Sequence, residues 1–125
     1  MARAHSRSLR RIVTLLVRTY TETAARLHRG TSNSVISKIE ACKTSHEVLR
    51  VANAFVREVR SSKAAARTLR GPMPITSVDD LRAWLRELKA VATPEVPKEA
   101  RDVFAQLFSC LRAAERRLEA IDKNA

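Results

Sequence analysis

Pro97–Ile121 reads PKEARDVFAQLFSCLRAAERRLEAI, and its spacing decides the fold. Ala100, Phe104, Leu107, Leu111, Ala114, Leu118 and Ile121 alternate steps of four and three through three heptads. That alternation draws one apolar seam along a helix. Pro97 suits the first helical position, where its missing N–H costs no hydrogen bond. Val103 and Phe108 widen the apolar face beyond what one neighbouring helix covers, so a further packing surface is needed, from the first half of the chain or from a partner. Glu119 and Lys123, four apart, predict an outward ion pair worth roughly 0.3 kcal/mol.

The nearest neighbour for that seam lies just upstream. Val78, Leu81, Leu85, Leu88 and Ala92 form a second stripe, with Trp84 and Val91 beside it. Thr76 with Asp79 and Ser77 with Asp80 give overlapping capping boxes at its start. Thr93-Pro94-Glu95-Val96-Pro97 is a short stiff turn, which predicts an antiparallel hairpin of the two helices. Gly71-Pro72 closes whatever precedes, with Gly71 suited to a left-handed cap and Pro72 unable to continue a helix.

Before the 71–76 connector, Val48, Ala52, Phe55, Val59, Ser62, Ala66 and Leu69 predict one long helix to Arg70, opened by a Thr44/Glu47 capping box. Its flank carries Arg57, Arg60, Lys63, Arg67 and Arg70. Val35, Ile36, Ile39 and Cys42 predict a shorter helix, capped by the polar stretch Thr31-Ser32-Asn33-Ser34. Leu9, Ile12, Val13, Leu16, Val17, Tyr20, Ala24 and Leu27 predict a first helix from about Ser8 toward Leu27, with Gly30 as its stop. Thr19 and Glu22 make a capping box that allows a break inside it. Thr44-Ser45-x-Glu47 and Thr76-Ser77-x-Asp79 recur 32 positions apart, but two copies with unmatched second helices point to shared capping chemistry, not a repeat. The expectation is an all-α chain: a small bundle of five to six helices in a single domain over 1–125. It has a basic half over 1–70 and a neutral antiparallel hairpin over 77–125.

Charge is divided along the same line. The net charge is +11; residues 1–70 hold fifteen Lys/Arg against four Glu, and residues 71–125 hold nine against nine. Such asymmetry points to an acidic partner for the first half: an acidic protein surface, anionic lipid head groups or phosphate backbone. Residues 3–29 alone carry seven arginines and one acid, Glu22. Arginine-rich, serine-containing, acid-poor and amphipathic also describes a mitochondrial import signal. The regular apolar stripe speaks for a structural helix retained in the folded chain, with targeting secondary. The longest apolar run, Ile12–Val17, includes Thr14 and falls far short of the roughly 18–20 residues of a membrane span.

Catalytic chemistry finds little footing. The two glycines, Gly30 and Gly71, make no phosphate loop. Cys42 and His46 are four apart, but Thr44-Ser45 caps a new helix between them and no third orienting group follows. His5, His28, His46, Cys42 and Cys110 show no paired metal-ligand spacing. Cys42 and Cys110 fall in separate helices without framework spacing, as two small buried hydrophobes in a reducing compartment would. No catalytic residue, metal ligand or cofactor is expected.

Residues 19–55 resemble the helix-turn-helix of the lambda-repressor-like family. Thr19-Tyr20-Thr21-Glu22-Thr23-Ala24 looks like the start of its second helix, Gly30-Thr31-Ser32 like its turn and Ser34–Glu40 like its recognition helix. Val51–Phe55 is similar to the apolar helix that follows. His28-Arg29 stand as an insertion ahead of the turn, and Thr31 replaces an apolar turn residue. The resemblance implies that Ser32, Asn33, Ser34 and Lys38 contact base edges or phosphates while Ile36 and Ile39 pack inward. Leu16-Val17-Arg18 is similar to the signature of the mitochondrial Leu-Tyr-Arg family of helical accessory subunits. Val17 replaces its tyrosine and the downstream Arg and Phe are out of line, so it names no family.

Together these features favour a non-catalytic, basic accessory subunit of a large mitochondrial assembly, of respiratory-chain or ATP-synthase type. Arg3, Arg7, Arg10, Arg11, Arg18, Arg57, Arg60, Lys63, Arg67 and Arg70 are expected to dock on acidic protein or lipid head groups. Trp84, Leu88, Phe104, Leu107, Phe108, Leu111 and Leu118 are expected to pack helices, with Trp84, Leu88, Phe104 and Phe108 also meeting neighbouring subunits. The alternatives are a helix-turn-helix DNA-binding regulator, cytoplasmic in location, or a basic RNA-binding, ribosome-associated protein. The RNA reading is poorly served by so few aromatic residues on which bases could stack.

Overall fold

Four α-helices, without a strand among them, form the described residues of the computed structural model, which are 29–60, 69–91 and 98–123. They are α1 (Arg29–Ala41), α2 (Ser45–Val59), α3 (Val78–Val91) and α4 (Lys98–Lys123). The expected first helix over 8–27, the stretch 61–68 and the 93–97 turn lie outside the described residues. Helix class is thus as expected; the count among the described residues is four.

α4 is the element every other helix touches. Its 26 residues span about 39 Å at 1.5 Å per residue. Phe104, Leu107, Leu111, Ala114 and Leu118 of the expected seam are buried, and so are Val103 and Cys110. The further surface that Val103 and Phe108 demand comes from the first half of this chain, since α1 and α2 both pack on α4. One core cluster runs from Ile39 on α1 to Leu118 on α4, across the connector.

α3 lies antiparallel to α4. Near its start Arg82 meets Glu115 and Glu119, and near its end Lys89 sits over Phe108, so residue numbers rise on one helix as they fall on the other. Leu81, Trp84, Leu85 and Leu88 are its buried face. Trp84, expected beside the stripe, is its centre, with 0 % of its surface exposed. The start of α3 is capped by Ser77, whose Oγ accepts from the Asp80 N–H at 3.3 Å. The Asp80 carboxylate accepts from the Thr76 N–H at 2.8 Å and from its hydroxyl at 2.9 Å. Those two bonds, the backbone one first, hold the Asp80 carboxyl below its ordinary pKa. Thr76 therefore pairs with Asp80, not with Asp79 as its spacing predicts. On α2 the cap is Thr44, which accepts from the Glu47 N–H at 3.2 Å. The two look-alike starts are used one residue out of register, in keeping with capping chemistry over a repeat.

Three sequence expectations are overturned. First, Gly30 does not end a helix and residues 31–34 are not a loop: all lie within α1. Gly30-Thr31-Ser32 is consequently not a turn. A polar, glycine-bearing run is a poor helix by propensity, and tertiary contacts outweigh propensity here. Ser32 is 5 % exposed and its Oγ donates to the Gln106 side-chain oxygen on α4. At the other end the Arg117 guanidinium donates to the Cys42 carbonyl at 2.7 Å, a cation where the helix dipole favours one. With Ser32 beside Gln106 and Cys42 beside Arg117, α1 runs parallel to α4.

Second, the long helix predicted through Ser61-Ser62 to Arg70 closes at Val59. Arg60 caps it through its own N–H, which reaches the Val56 carbonyl at 2.9 Å, and Leu69 and Arg70 are not helical. Third, Gly71 is not in the left-handed region, since no glycine has a positive φ among the described residues. Space explains it instead: a Cβ there would stand 2.2 Å from Cε2 of Trp84. The connector is fixed to the bundle at several points. Ile75 is buried, and the Asn53 side chain accepts from its N–H at 2.7 Å and donates to its carbonyl at 2.8 Å. Trp84 Nε1 donates to the Pro72 carbonyl at 2.7 Å, and the Arg70 N–H donates to Glu87 at 2.6 Å. The Met73–Pro74 peptide bond in this connector is cis.

Cys42 and Cys110 are both buried free thiols. Cys42 donates to the Lys38 carbonyl at 3.1 Å, and Cys110 to the Ser32 carbonyl at 3.8 Å. Burial pushes the Cys110 thiol up to about 11. Native Cys110 thus keeps its proton at alkaline pH values where an unfolded thiol has lost it. Its contribution to stability is complete below pH 9 and is lost as pH rises toward 11. The Cys110→Ala variant should show a shallower loss of stability over that interval in urea titrations. An unaltered pH slope would contradict the burial-driven shift.

Candidate docking surface

The expected docking cations divide into three groups. Arg3, Arg7, Arg10, Arg11, Arg18, Lys63 and Arg67 lie outside the described residues. Arg57 on α2 and Arg70 in the connector are exposed. Arg60 is half-buried, with its guanidinium 5.9 Å from the centre of the Trp84 ring, so it serves the core edge instead of an open surface. Of the residues expected to meet neighbouring subunits, Trp84, Leu88 and Phe104 are spent inside this chain. Phe108 alone of that set is half-buried. Leu107, Leu111 and Leu118 pack helices as expected. Among the residues tied to the helix-turn-helix resemblance, Asn33, Ser34 and Lys38 are exposed on α1, while Ser32 is turned onto α4. Ile39 is buried, and Ile36 is only partly so.

A surface that the sequence did not single out lies between α1 and α4. Ile36, Phe108 and Ala113 are partly buried, resting on the core with one side open. They line an open cleft of about 450 Å³ with Glu40, Ser109, Arg112, Arg116 and Arg117. Lys89 of α3 reaches to 5.8 Å from the centre of the Phe108 ring. Two of these cations are held in place: Arg112 by the Glu115 carboxylate and Arg117 by the Cys42 carbonyl.

The electrostatics follow from which way each side chain of α4 faces. Glu115 and Glu119 turn toward α3, where Arg82 Nε and Nη2 bond them at 3.1 Å each. Asp79 joins that cluster at 3.6 Å from Arg82. Glu119 therefore pairs across helices, not with Lys123 along its own. Arg112, which shares the Glu115 carboxylate, lines the other side with Arg116 and Arg117. The neutral half of the sequence is thus neutral only in sum. The signal was present in the spacing of Arg112 and Arg116, one helical turn apart, beside Phe108 one turn earlier.

Among the described residues no group of His, Cys, Asp or Glu could hold a metal ion, and no helix is long and apolar enough to cross a membrane. No known protein family, curated protein or solved structure matches this chain.

Proposed function

We propose that this chain is a non-catalytic docking subunit of a larger assembly, engaging acidic protein surfaces through its cationic faces. The assembly is a mitochondrial one, of respiratory-chain or ATP-synthase type. The observation that carries the docking role is the arrangement of charge on α4: Glu115 and Glu119 pair with Arg82 of α3, while Arg116 and Arg117, with Arg112 bonded to Glu115, line an open apolar cleft. Complementary potentials set partner choice and encounter rate. The compartment rests on the acid-poor, arginine-rich sequence of residues 3–29. The DNA-binding alternative has no turn to stand on at residues 30–32, because α1 runs through them.

The chain should migrate on native gels of its own cells within a high-mass complex of the mitochondrial fraction. Raising the salt should release it. Migration as a free chain in the cytosol at physiological salt would sink this function.

A further inference from the structure

We propose that the α1–α4 cleft seats an acidic amphipathic helix of a partner protein. The inference rests on the docking function above and names both its site and the chemistry of its ligand. The floor is apolar and already supported from below: Ile36, Phe108 and Ala113 pack on the core and keep one face open. The rim is cationic, with Arg116 and Arg117 along α4 and Lys89 across the Phe108 ring, and with Arg112 paired to Glu115. Glu40 is the one acid of the lining. Glu115 and the Cys42 carbonyl fix two of the guanidiniums before any partner arrives, which lowers the ordering cost of binding.

An amphipathic helix answers both parts of this surface, apolar residues at steps of three and four entering the cleft and acids meeting the rim. Ser109, exposed on the wall of the cleft, is small and lets such a helix approach closely. Other occupants fit less well. A second copy would face these arginines with its own, and the seven arginines of residues 3–29 would be repelled by them. Nucleic acid would find one half-buried aromatic ring, already carrying Lys89, in place of a stacking platform.

The test uses the full chain and a labelled synthetic peptide helix with leucines at steps of three and four and glutamates on both flanks. A second peptide carries lysine for every glutamate. Fluorescence anisotropy should show binding of the acidic peptide alone. In the Lys89→Glu/Arg116→Glu variant its affinity should fall by roughly tenfold or more, and the lysine peptide should now bind. Ser109→Trp, which obstructs the cleft without altering charge, should weaken the acidic peptide similarly. Circular dichroism confirms that each variant is folded.

Undiminished binding of the acidic peptide to both variants would overturn the cleft as its seat. If charge reversal at Arg10 and Arg11 then abolishes binding, docking to acidic protein stands and only the cleft is lost. No binding of the acidic peptide to the native chain, even at low salt, removes both. A native dimer that the rim variant converts to a monomer would mean that a second copy occupies the cleft, and would also overturn the proposal.

Discussion

Gly71→Ala is expected to cost about 3 kcal/mol of folding stability, the upper end of the usual range for forcing extra atoms into a packed site. The added Cβ would lie 2.2 Å from Cε2, 2.3 Å from Cδ2 and 2.7 Å from Nε1 of Trp84. Those separations are far below contact distance, so one side must move. The ring has no freedom to do so: it is 0 % exposed, and its Nε1 donates to the Pro72 carbonyl. Displacing the connector instead would strain the Asn53 bonds to Ile75. Trp84 is the only tryptophan of the chain, so its fluorescence in a urea titration reports the change at the site itself. The clash also predicts non-additivity. Trp84→Leu should be costly in the native background but cost roughly 1 kcal/mol less beside Ala at 71, because the offending ring is gone. Circular dichroism follows that cycle once tryptophan is absent. Additive costs, or an unchanged midpoint for Gly71→Ala, would show that the close approach is not what demands glycine.

Asn53→Leu is expected to lose roughly 3 kcal/mol, since it leaves the buried Ile75 N–H and carbonyl without their partner and each orphan costs about 1–3 kcal/mol. The amide side chain does here what a strand neighbour does in a sheet, accepting from one residue's N–H and donating to its C=O. Its Nδ2 also donates to the Leu49 carbonyl at 2.9 Å. Asn53→Asp separates the contributions. An ionised carboxylate keeps the bond from the Ile75 N–H but sets negative oxygen against two carbonyls. Its pKa in the folded protein should therefore rise above the unfolded value of about 3.9. The loss relative to Asn53 is then full at neutral pH and shrinks as pH falls toward 4, where the protonated carboxyl again donates. A pH-independent difference between Asn53→Asp and the native chain would refute this account of the clamp.

What could be read from the sequence was whatever repeats locally. The α4 seam from Phe104 to Leu118, the Thr44 cap and the Ser77 cap are each written within a turn or two, and each is found where the spacing puts it. The first turns of α1, over residues 30–34, were unreadable for the opposite reason. The contacts that hold α1 are Ser32 with Gln106 and Cys42 with Arg117, 74 and 75 residues apart. Locally, Gly30 and four successive polar residues spell a turn. Gly71 was correctly marked as a special position but for a conformation it does not adopt; steric exclusion by a residue thirteen places on leaves no mark in the neighbouring sequence. The cleft was hidden by addition. Summing charge over residues 71–125 gives zero, and only the direction of each side chain shows that Glu115 and Glu119 offset Arg82 and Arg112 while Arg116 remains on an open face.

The parallel pairing of α1 with α4 also governs how the chain can be made. α1 emerges from the ribosome well before the side chains that hold its two ends, Gln106 and Arg117, which follow 74 and 75 residues behind their partners. Until then α1 is a short polar segment below the length at which isolated helices persist. Its assembly must wait until α4 has been made, at the entropic cost of closing a long loop.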